Sequence, residues 1–183
     1  MSTRRYTWED TLFILGSNCI PAIQRWEIYR LIIPGFIHHD FFYLLWDIFL
    51  LLSFGSNAEH FLGKMPYLIL LGSSVLLANL FTAALRPDTC DQEFGVSKAV
   101  MGCIASELIR LYFNFRKMNR LKWVYSLWFG AITGISILYW YFKQQYIDLR
   151  GLFGGFSGGV YVTGFFFHKI TRYYLPGFCR LVF

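Results

Sequence analysis

Residues 151–167 read GLFGGFSGGVYVTGFFF, an apolar run that carries no charge. Its glycines fall into two rows with a spacing of four residues: Gly151, Gly155 and Gly159 in one row, and Gly154 and Gly158 in the other. Residues four apart share one face of a helix, so each row of glycines leaves one helix face without side chains. Such faces let a second backbone approach closely, as is common between membrane helices. The stretch therefore predicts a membrane helix with a closely packed partner.

A second stretch, which begins at Phe94, offers a matching small-residue face. Its members are Gly95, Ala99, Gly102, Cys103 and Ser106. We expect these two helices to pack against each other in the middle of a bundle. The alternative is that both faces meet lipid or a partner protein.

The composition of the whole chain points the same way. Of the 183 residues, 56% are hydrophobic and only 15% are charged. A soluble domain of this length cannot hide so much apolar surface, so the lipid bilayer is the expected partner. The net charge of +6 comes from Lys and Arg in short loops between apolar runs. That placement is typical of membrane topology signals and argues against nucleic-acid binding.

Apolar runs of about 20 residues that carry few or no charges predict the membrane spans. Five are clear, at residues 41–62, 65–85, 94–112, 123–142 and 152–167. Residues 11–23 are apolar but short, and they predict either an abbreviated first span or a helix in the membrane interface. The fold class is therefore an all-α membrane protein with a six-helix transmembrane bundle, whose first helix is short or interfacial.

We interpret residues 1–183 as one domain. Its parts are a short first helix in 1–24, a membrane-edge loop in 25–40, five spans in 41–173 and an apolar tail in 174–183. With six crossings, most Lys and Arg residues lie on one side, which places both termini on the cytoplasm-like or matrix-like side. The first ten residues do not read as a signal peptide, because an acidic pair interrupts them.

Four motifs occur in a fixed order along the chain. They are Tyr29-Arg30 with His38 eight residues later, Gly55, Glu59 and Gly63 at a spacing of four, Gly95-Val96-Ser97-Lys98, and Leu152-Phe153-Gly154-Gly155 with Gly159. This series resembles the rhomboid proteases and their inactive relatives over residues 25–165. The resemblance implies a rhomboid-like bundle in which Arg30, His38, Gly55, Glu59 and Gly63 have structural roles.

The resemblance also implies where the catalytic groups of a rhomboid protease would lie. Its serine falls on Ser97, but its histidine base falls on Leu152, which cannot exchange a proton. Its two oxyanion-binding groups fall on Tyr43 and Asp47, and an ionised Asp47 would repel a developing oxyanion. Asp47 is either a functional carboxylate or one that is protonated or hydrogen-bonded to Tyr43 or Ser97. We therefore predict a pseudoprotease that is not an enzyme.

Two further charged residues near these motifs admit alternatives. Lys98 could activate Ser97 in a Ser–Lys arrangement, but adjacent helix residues point about 100° apart, so we expect packing instead. Glu107 is expected to pair with Arg110 or Lys98, or with a neighbouring subunit.

The cysteines predict no cofactor. Cys19, Cys90, Cys103 and Cys179 are scattered and lack metal-ligand spacing. We expect each to fill an apolar or small-residue position, with Cys90, in a polar loop, as the one to test for reactivity. Neither a metal nor a cofactor is expected, although structural lipids could bind.

Three functions remain open from the sequence. The first is a structural or assembly subunit of a membrane complex, in an energy-converting or translocase complex of the mitochondrial inner membrane. Its partners would bind through the apolar termini, chiefly the tail at residues 173–183. The second is a binder of transmembrane clients, like the derlins and inactive rhomboids, with the endoplasmic reticulum as the alternative location. The third is an active intramembrane serine protease that uses Ser97.

Overall fold

The computed structural model describes residues 7–38, 41–86, 90, 95–114, 122–142 and 149–174. All regular structure in these ranges is helical, as predicted. The α-helices are α1 (Trp8–Leu15), α2 (Ile20–Ile23), α3 (Phe41–Leu50), α4 (Ser56–Leu62), α5 (Lys64–Leu85), α6 (Ser97–Asn114), α7 (Lys122–Phe142) and α8 (Leu149–Tyr174). Two 3₁₀ turns, Ile28–Leu31 and Ile33–Phe36, lie in the loop that joins α2 to α3.

The first helix is short because its ends are fixed locally. Thr7 and Asp10 form a reciprocal capping box at its start, and Gly16 ends it with φ at +99°. The eight residues of α1 rise about 12 Å, far less than the ~30 Å of a hydrocarbon core. The apolar stretch at 11–23 is thus divided between α1 and α2, instead of forming one continuous span.

The helices that follow have the length of membrane spans. α3, a π-helical turn (Leu51–Gly55) and α4 form one continuous helix, Phe41–Leu62. This helix and α5 are the two in the described chain that are long and apolar enough to cross a membrane on composition alone. α6, α7 and α8 contain 18, 21 and 26 residues and therefore share that length.

One glycine row of α8 packs against α6, as the small-residue faces predict. A Cβ at Gly155 would lie 2.3 Å from the carbonyl oxygen of Lys98, and a Cβ at Gly159 would lie 2.3 Å from that of Gly102. Nothing larger than hydrogen fits at either place, so the two helices meet backbone to backbone. Gly95 takes no part in this face, because it precedes α6 and lies against Tyr43.

The other glycine row of α8 packs against α5, a contact that the sequence did not indicate. A Cβ at Gly154 would lie 2.8 Å from the Cα of Ala78, and a Cβ at Gly158 would lie 3.0 Å from the Cα of Ser74. α8 is therefore held on two sides, and α5, α6 and α8 form the close-packed centre of the molecule.

The loop between α2 and α3 rests on this centre. The buried Arg30 guanidinium donates to the Phe13 carbonyl at 2.8 Å and to the Ser17 carbonyl at 3.2 Å, and it lies over the Phe13 ring. Meanwhile the loop exposes large apolar side chains, with Trp26 85% and Phe36 74% exposed. A loop that is anchored by polar contacts and bears exposed aromatic rings suits the edge of a membrane.

Candidate functional site

The candidate site begins at the backbone turn that precedes α6. Gly95 has φ at +101°, and a Cβ there would lie 2.6 Å from the Tyr43 ring and 3.1 Å from an Asp47 carboxylate oxygen. Only glycine combines this backbone conformation with so close an approach. The Gly95 amide donates to the Pro34 carbonyl at 3.2 Å, which ties the turn to the loop before α3. The turn places Ser97 at the first position of α6.

Ser97 is buried and engaged by a tyrosine. The Tyr43 hydroxyl on α3 donates to Ser97 Oγ at 2.7 Å, and both residues are at least 95% buried. Tyr43 is the residue that falls where the resemblance expects an oxyanion-binding group. It contacts the serine hydroxyl itself.

Asp47 lies one turn further along α3 and is fully buried. The expected side-chain hydrogen bonds from Asp47 to Tyr43 and Ser97 do not form within the described chain, because those two hydroxyls bond to each other, but the Asp47 carboxylate interacts with the Ser97 backbone amide. The imidazole of His38 is a neighbouring ionisable group, and its Nε2 lies 3.8 Å from Asp47 Oδ2. Burial lowers the pKa of His38, and a hydrogen bond with the Phe36 backbone opposes this shift. Burial therefore favours the neutral imidazole.

Leu152 falls where the resemblance expects the histidine base. It is buried on α8, three residues before Gly155, at which a Cβ would lie 2.3 Å from the Lys98 carbonyl oxygen. Among the described histidine side chains, His60 is exposed on α4 and His38 faces Asp47. In the part of the chain that is described, no imidazole bonds to the Ser97 hydroxyl.

Lys98 points away from its neighbour Ser97. Its buried Nζ donates to the side-chain oxygen of Asn79 on α5, and the Asn79 amide nitrogen donates to the Leu31 carbonyl at 2.6 Å. The Ser–Lys arrangement does not form. Instead, Lys98 and Asn79 connect α6 through α5 to the loop before α3. The sequence did not single out Asn79, because a lone asparagine in an apolar run carries no distinctive spacing.

A second polar cluster lies between α6, α7 and α4, away from Ser97. Glu107 is buried and pairs with Arg110, the first of the partners expected for it. The Tyr125 hydroxyl on α7 donates to Glu107, and Arg110 donates to Tyr125 at 3.1 Å. Asn57 donates to Tyr125 at 3.2 Å and to Ser53, within the π-helical turn, at 3.0 Å. We call Asn57, Glu107, Arg110 and Tyr125 the Tyr125 cluster.

The spaced glycines at the end of the α3–α4 helix have clear structural reasons. Gly55 lies in the π-helical turn, where a Cβ would lie 2.5 Å from the Tyr67 hydroxyl. Gly63 ends α4 with φ at +88°, and its amide donates to the Glu59 carbonyl at 2.8 Å. These contacts position helices and do not bring either glycine to Ser97.

The cysteine expectation is partly wrong. Cys19 and Cys90 form a disulfide that joins the start of α2 to the α5–α6 connection. Cys103 is buried and free, as an apolar position requires, and Cys179 lies outside the described residues. Scattered spacing gave no sign of this pair, because the cysteines are 71 residues apart. Within the described ranges, no group of three or more His, Cys, Asp or Glu side chains could hold a metal ion.

These features define a helical membrane protein in which a buried serine is the first residue of an inner helix. The Rhomboid domain family matches residues 25–169, and the chain belongs to this family. It is therefore an integral membrane protein of rhomboid fold.

Curated relatives include three proteins of Toxoplasma gondii. Rhomboid-like protease 3 is 26% identical over 177 residues, which cover 96% of this chain and 65% of the relative. Rhomboid-like protease 1 is 25% identical over 156 residues, which cover 82% of this chain and 53% of the relative. Rhomboid-like protease 2 is 35% identical over 164 residues, which cover 84% of this chain and 54% of the relative. The chain thus spans between half and two thirds of each relative, and no solved structure matches it.

Proposed function

We propose that this rhomboid-family chain is not a protease and serves as a structural or assembly subunit that binds other membrane-embedded chains. The observation that carries the proposal is the state of Ser97. Its hydroxyl is bonded to Tyr43, and a leucine, Leu152, falls where the resemblance expects the base of the dyad. A serine becomes nucleophilic only when a neighbouring group accepts its proton, and a neutral tyrosine that donates to Ser97 does not do so.

The surroundings of Ser97 support the same proposal. An ionised, buried Asp47 would oppose the negative charge of a tetrahedral intermediate. The loss of one oxyanion donor already costs about 3 kcal/mol of transition-state stabilisation. The Lys98 ammonium is held by Asn79, so the local cation does not offset this effect.

An activity-based probe tests the inactive state of the serine. The full chain in detergent is treated with a fluorophosphonate, with Ser97→Ala as the matched control. We expect equal background labelling of both. Labelling of the wild type that disappears in Ser97→Ala would contradict the proposal. The variant Leu152→His with Tyr43→Phe supplies a base and removes the tyrosine bond, and its labelling would show that the probe can reach Ser97.

An active intramembrane serine protease is the second candidate. Two observations favour it: the three relatives are named proteases, and the His38–Asp47 pair lies beside Tyr43. Cleavage of a transmembrane reporter by the wild type, lost in both Ser97→Ala and His38→Ala, would establish this function over the first.

The first proposal has two forms, a complex subunit and a binder of transmembrane clients, and they predict different binding behaviour. A complex subunit should migrate on blue-native gels as part of a larger assembly, whereas migration as a free monomer would argue against that role. A derlin-like client binder should instead crosslink to varied transmembrane helices. Of the apolar termini proposed to make these contacts, the tail beyond residue 174 lies outside the described residues. Structural lipids are a further proposed component.

The membrane in which the chain resides is also a proposal. The sequence favoured the mitochondrial inner membrane over the endoplasmic reticulum. The disulfide between Cys19 and Cys90 supports the endoplasmic reticulum, because disulfides persist in oxidising spaces such as its lumen. Fractionation of tagged protein expressed at native level distinguishes the two.

A further inference from the structure

We propose that the Cys19–Cys90 disulfide is a redox-sensitive staple that holds the N-terminal segment against the turn leading into Ser97, on the membrane face opposite the basic loops. The proposal does not depend on whether Ser97 is reactive.

The positions of the two cysteines place the bond close in sequence to that turn. Cys19 is the residue before α2 and is 97% buried, whereas Cys90 is exposed in the connection between α5 and α6. Cys90 lies five residues before Gly95, whose backbone turn sets the position of Ser97. The bond therefore joins the N-terminal segment to the connection that carries the candidate site.

Noncovalent contacts link these segments through the loop before α3. They are the bonds from Arg30 to the Ser17 carbonyl, from Asn79 to the Leu31 carbonyl and from the Gly95 amide to the Pro34 carbonyl. Each can open alone, because a single hydrogen bond contributes little net free energy. A covalent link across 71 residues keeps the two segments together when these bonds open.

Charge and redox chemistry agree on the face that carries the bond. The excess of Lys and Arg in the other loops assigns those loops to the cytoplasm-like or matrix-like side. The loop before α3 and the α5–α6 connection then face the opposite side. Stable disulfides belong to compartments outside the cytosol, and the charge distribution reaches this side assignment without using the cysteines.

The redox step balances by thiol–disulfide exchange. When the bond forms, the two thiols lose two protons and two electrons to a disulfide-bearing exchange partner, which becomes a dithiol. In the reverse step, a thiolate of an external dithiol attacks the exposed Cys90 sulfur, and Cys19 leaves as a thiolate. The second thiol of the reductant then releases Cys90. Cys103 is fully buried and does not take part.

Thiol counting tests the bond in full-length protein. Membranes are lysed in N-ethylmaleimide to block free thiols and denatured, and maleimide-PEG is added with or without prior reduction. We expect two PEG additions that depend on reduction in the wild type and in the control Cys103→Ala. Cys19→Ser and Cys90→Ser should each show none. Absence of reduction-dependent additions in the wild type, or their persistence in Cys90→Ser, would overturn the pairing.

Hydrogen exchange tests the stapling role. In purified protein, reduction should speed amide exchange at residues 95–100 several-fold and leave residues 154–159 unchanged. Cys90→Ser should match the reduced wild type, and Cys103→Ala should match the oxidised one. Equal exchange at 95–100 before and after reduction would refute the staple.

The assignment to one face has its own test. In sealed vesicles with the cytosolic face outward, a membrane-impermeant phosphine should reduce the bond only after the vesicles are permeabilised. Reduction in intact vesicles would refute the assignment to the opposite face.

Discussion

Helices α7 and α8 carry the same glycine spacing and use it in opposite ways. Gly155 and Gly159 of α8 meet the backbone of α6 so closely that a methyl group would collide. Gly130 and Gly134 of α7 have nothing within 4 Å of the place where a Cβ would lie. α7 attaches instead through side chains, with Phe129 edge-on to Phe54 and Tyr139 stacked on Tyr43.

This difference shows that a spaced pair of glycines does not by itself define a helix contact. Inside a membrane, lipid tails are as apolar as most side chains, so helices associate where their shapes match and polar groups pair. α8 finds that match with two helices, whereas α7 depends on the Tyr125 cluster and on aromatic contacts. We therefore expect α7 to separate from the bundle more easily than α8.

The largest effect should follow Gly159→Ala. Its methyl group would lie 2.3 Å from the Gly102 carbonyl oxygen and 2.6 Å from the Gly102 Cα, both backbone atoms that cannot rotate aside. Overpacking of this kind should lower the free energy of unfolding by about 3 kcal/mol. Unfolding of the purified protein in mixed micelles at increasing dodecyl sulfate measures the change. A loss below about 1 kcal/mol would mean that α6 and α8 are less closely packed than described.

A smaller effect is expected from Tyr125→Phe. The variant keeps the ring and removes the hydroxyl that bonds to Glu107, Arg110 and Asn57. It should lower the free energy of unfolding by about 2 kcal/mol, because buried polar partners lose a bond. Hydrogen exchange should rise along α7 and stay constant along α8. An equal rise in both helices would show that α7 is not held separately.

The smallest effect should come from Gly134→Ala, the counterpart of the α8 substitution. Its methyl group meets no atom within 4 Å, and alanine favours a helix over glycine. The free energy of unfolding should rise by at most about 1 kcal/mol. A marked loss of stability in the same micelle assay would reveal a neighbour of this face and remove the contrast between the two helices.

Much of the fold could be predicted because it follows from length, apolarity and small residues. The runs between charges locate the long helices, and the four-residue spacing of Gly155 and Gly159 identifies the face that α8 presents to α6. The two helices of the N-terminal segment were missed as separate elements, because their division depends on the backbone conformation of Gly16. The contact between α8 and α5 was missed because Ala78 and Ser74 form no glycine row of their own.

The residues of the candidate site could be predicted from the sequence, but the hydrogen bonds and contacts between them could not. The resemblance brought together Ser97, Tyr43, Asp47 and Leu152, yet it could not show that Tyr43 bonds to the serine or that His38 faces Asp47. Such pairings join residues up to 54 positions apart, and they depend on side-chain directions that spacing does not encode. The same reason explains why Asn79 and the Cys19–Cys90 pair were not expected.

The single residue between α4 and α5 has a consequence for how the chain enters the bilayer. α4 ends at Leu62 and α5 begins at Lys64, so Gly63 alone reverses the chain, with a backbone angle that other residues rarely adopt. Two helices joined so tightly must enter the bilayer together as a hairpin. An epitope inserted at residue 63 should therefore disturb membrane integration itself, long before any question of partners or chemistry arises.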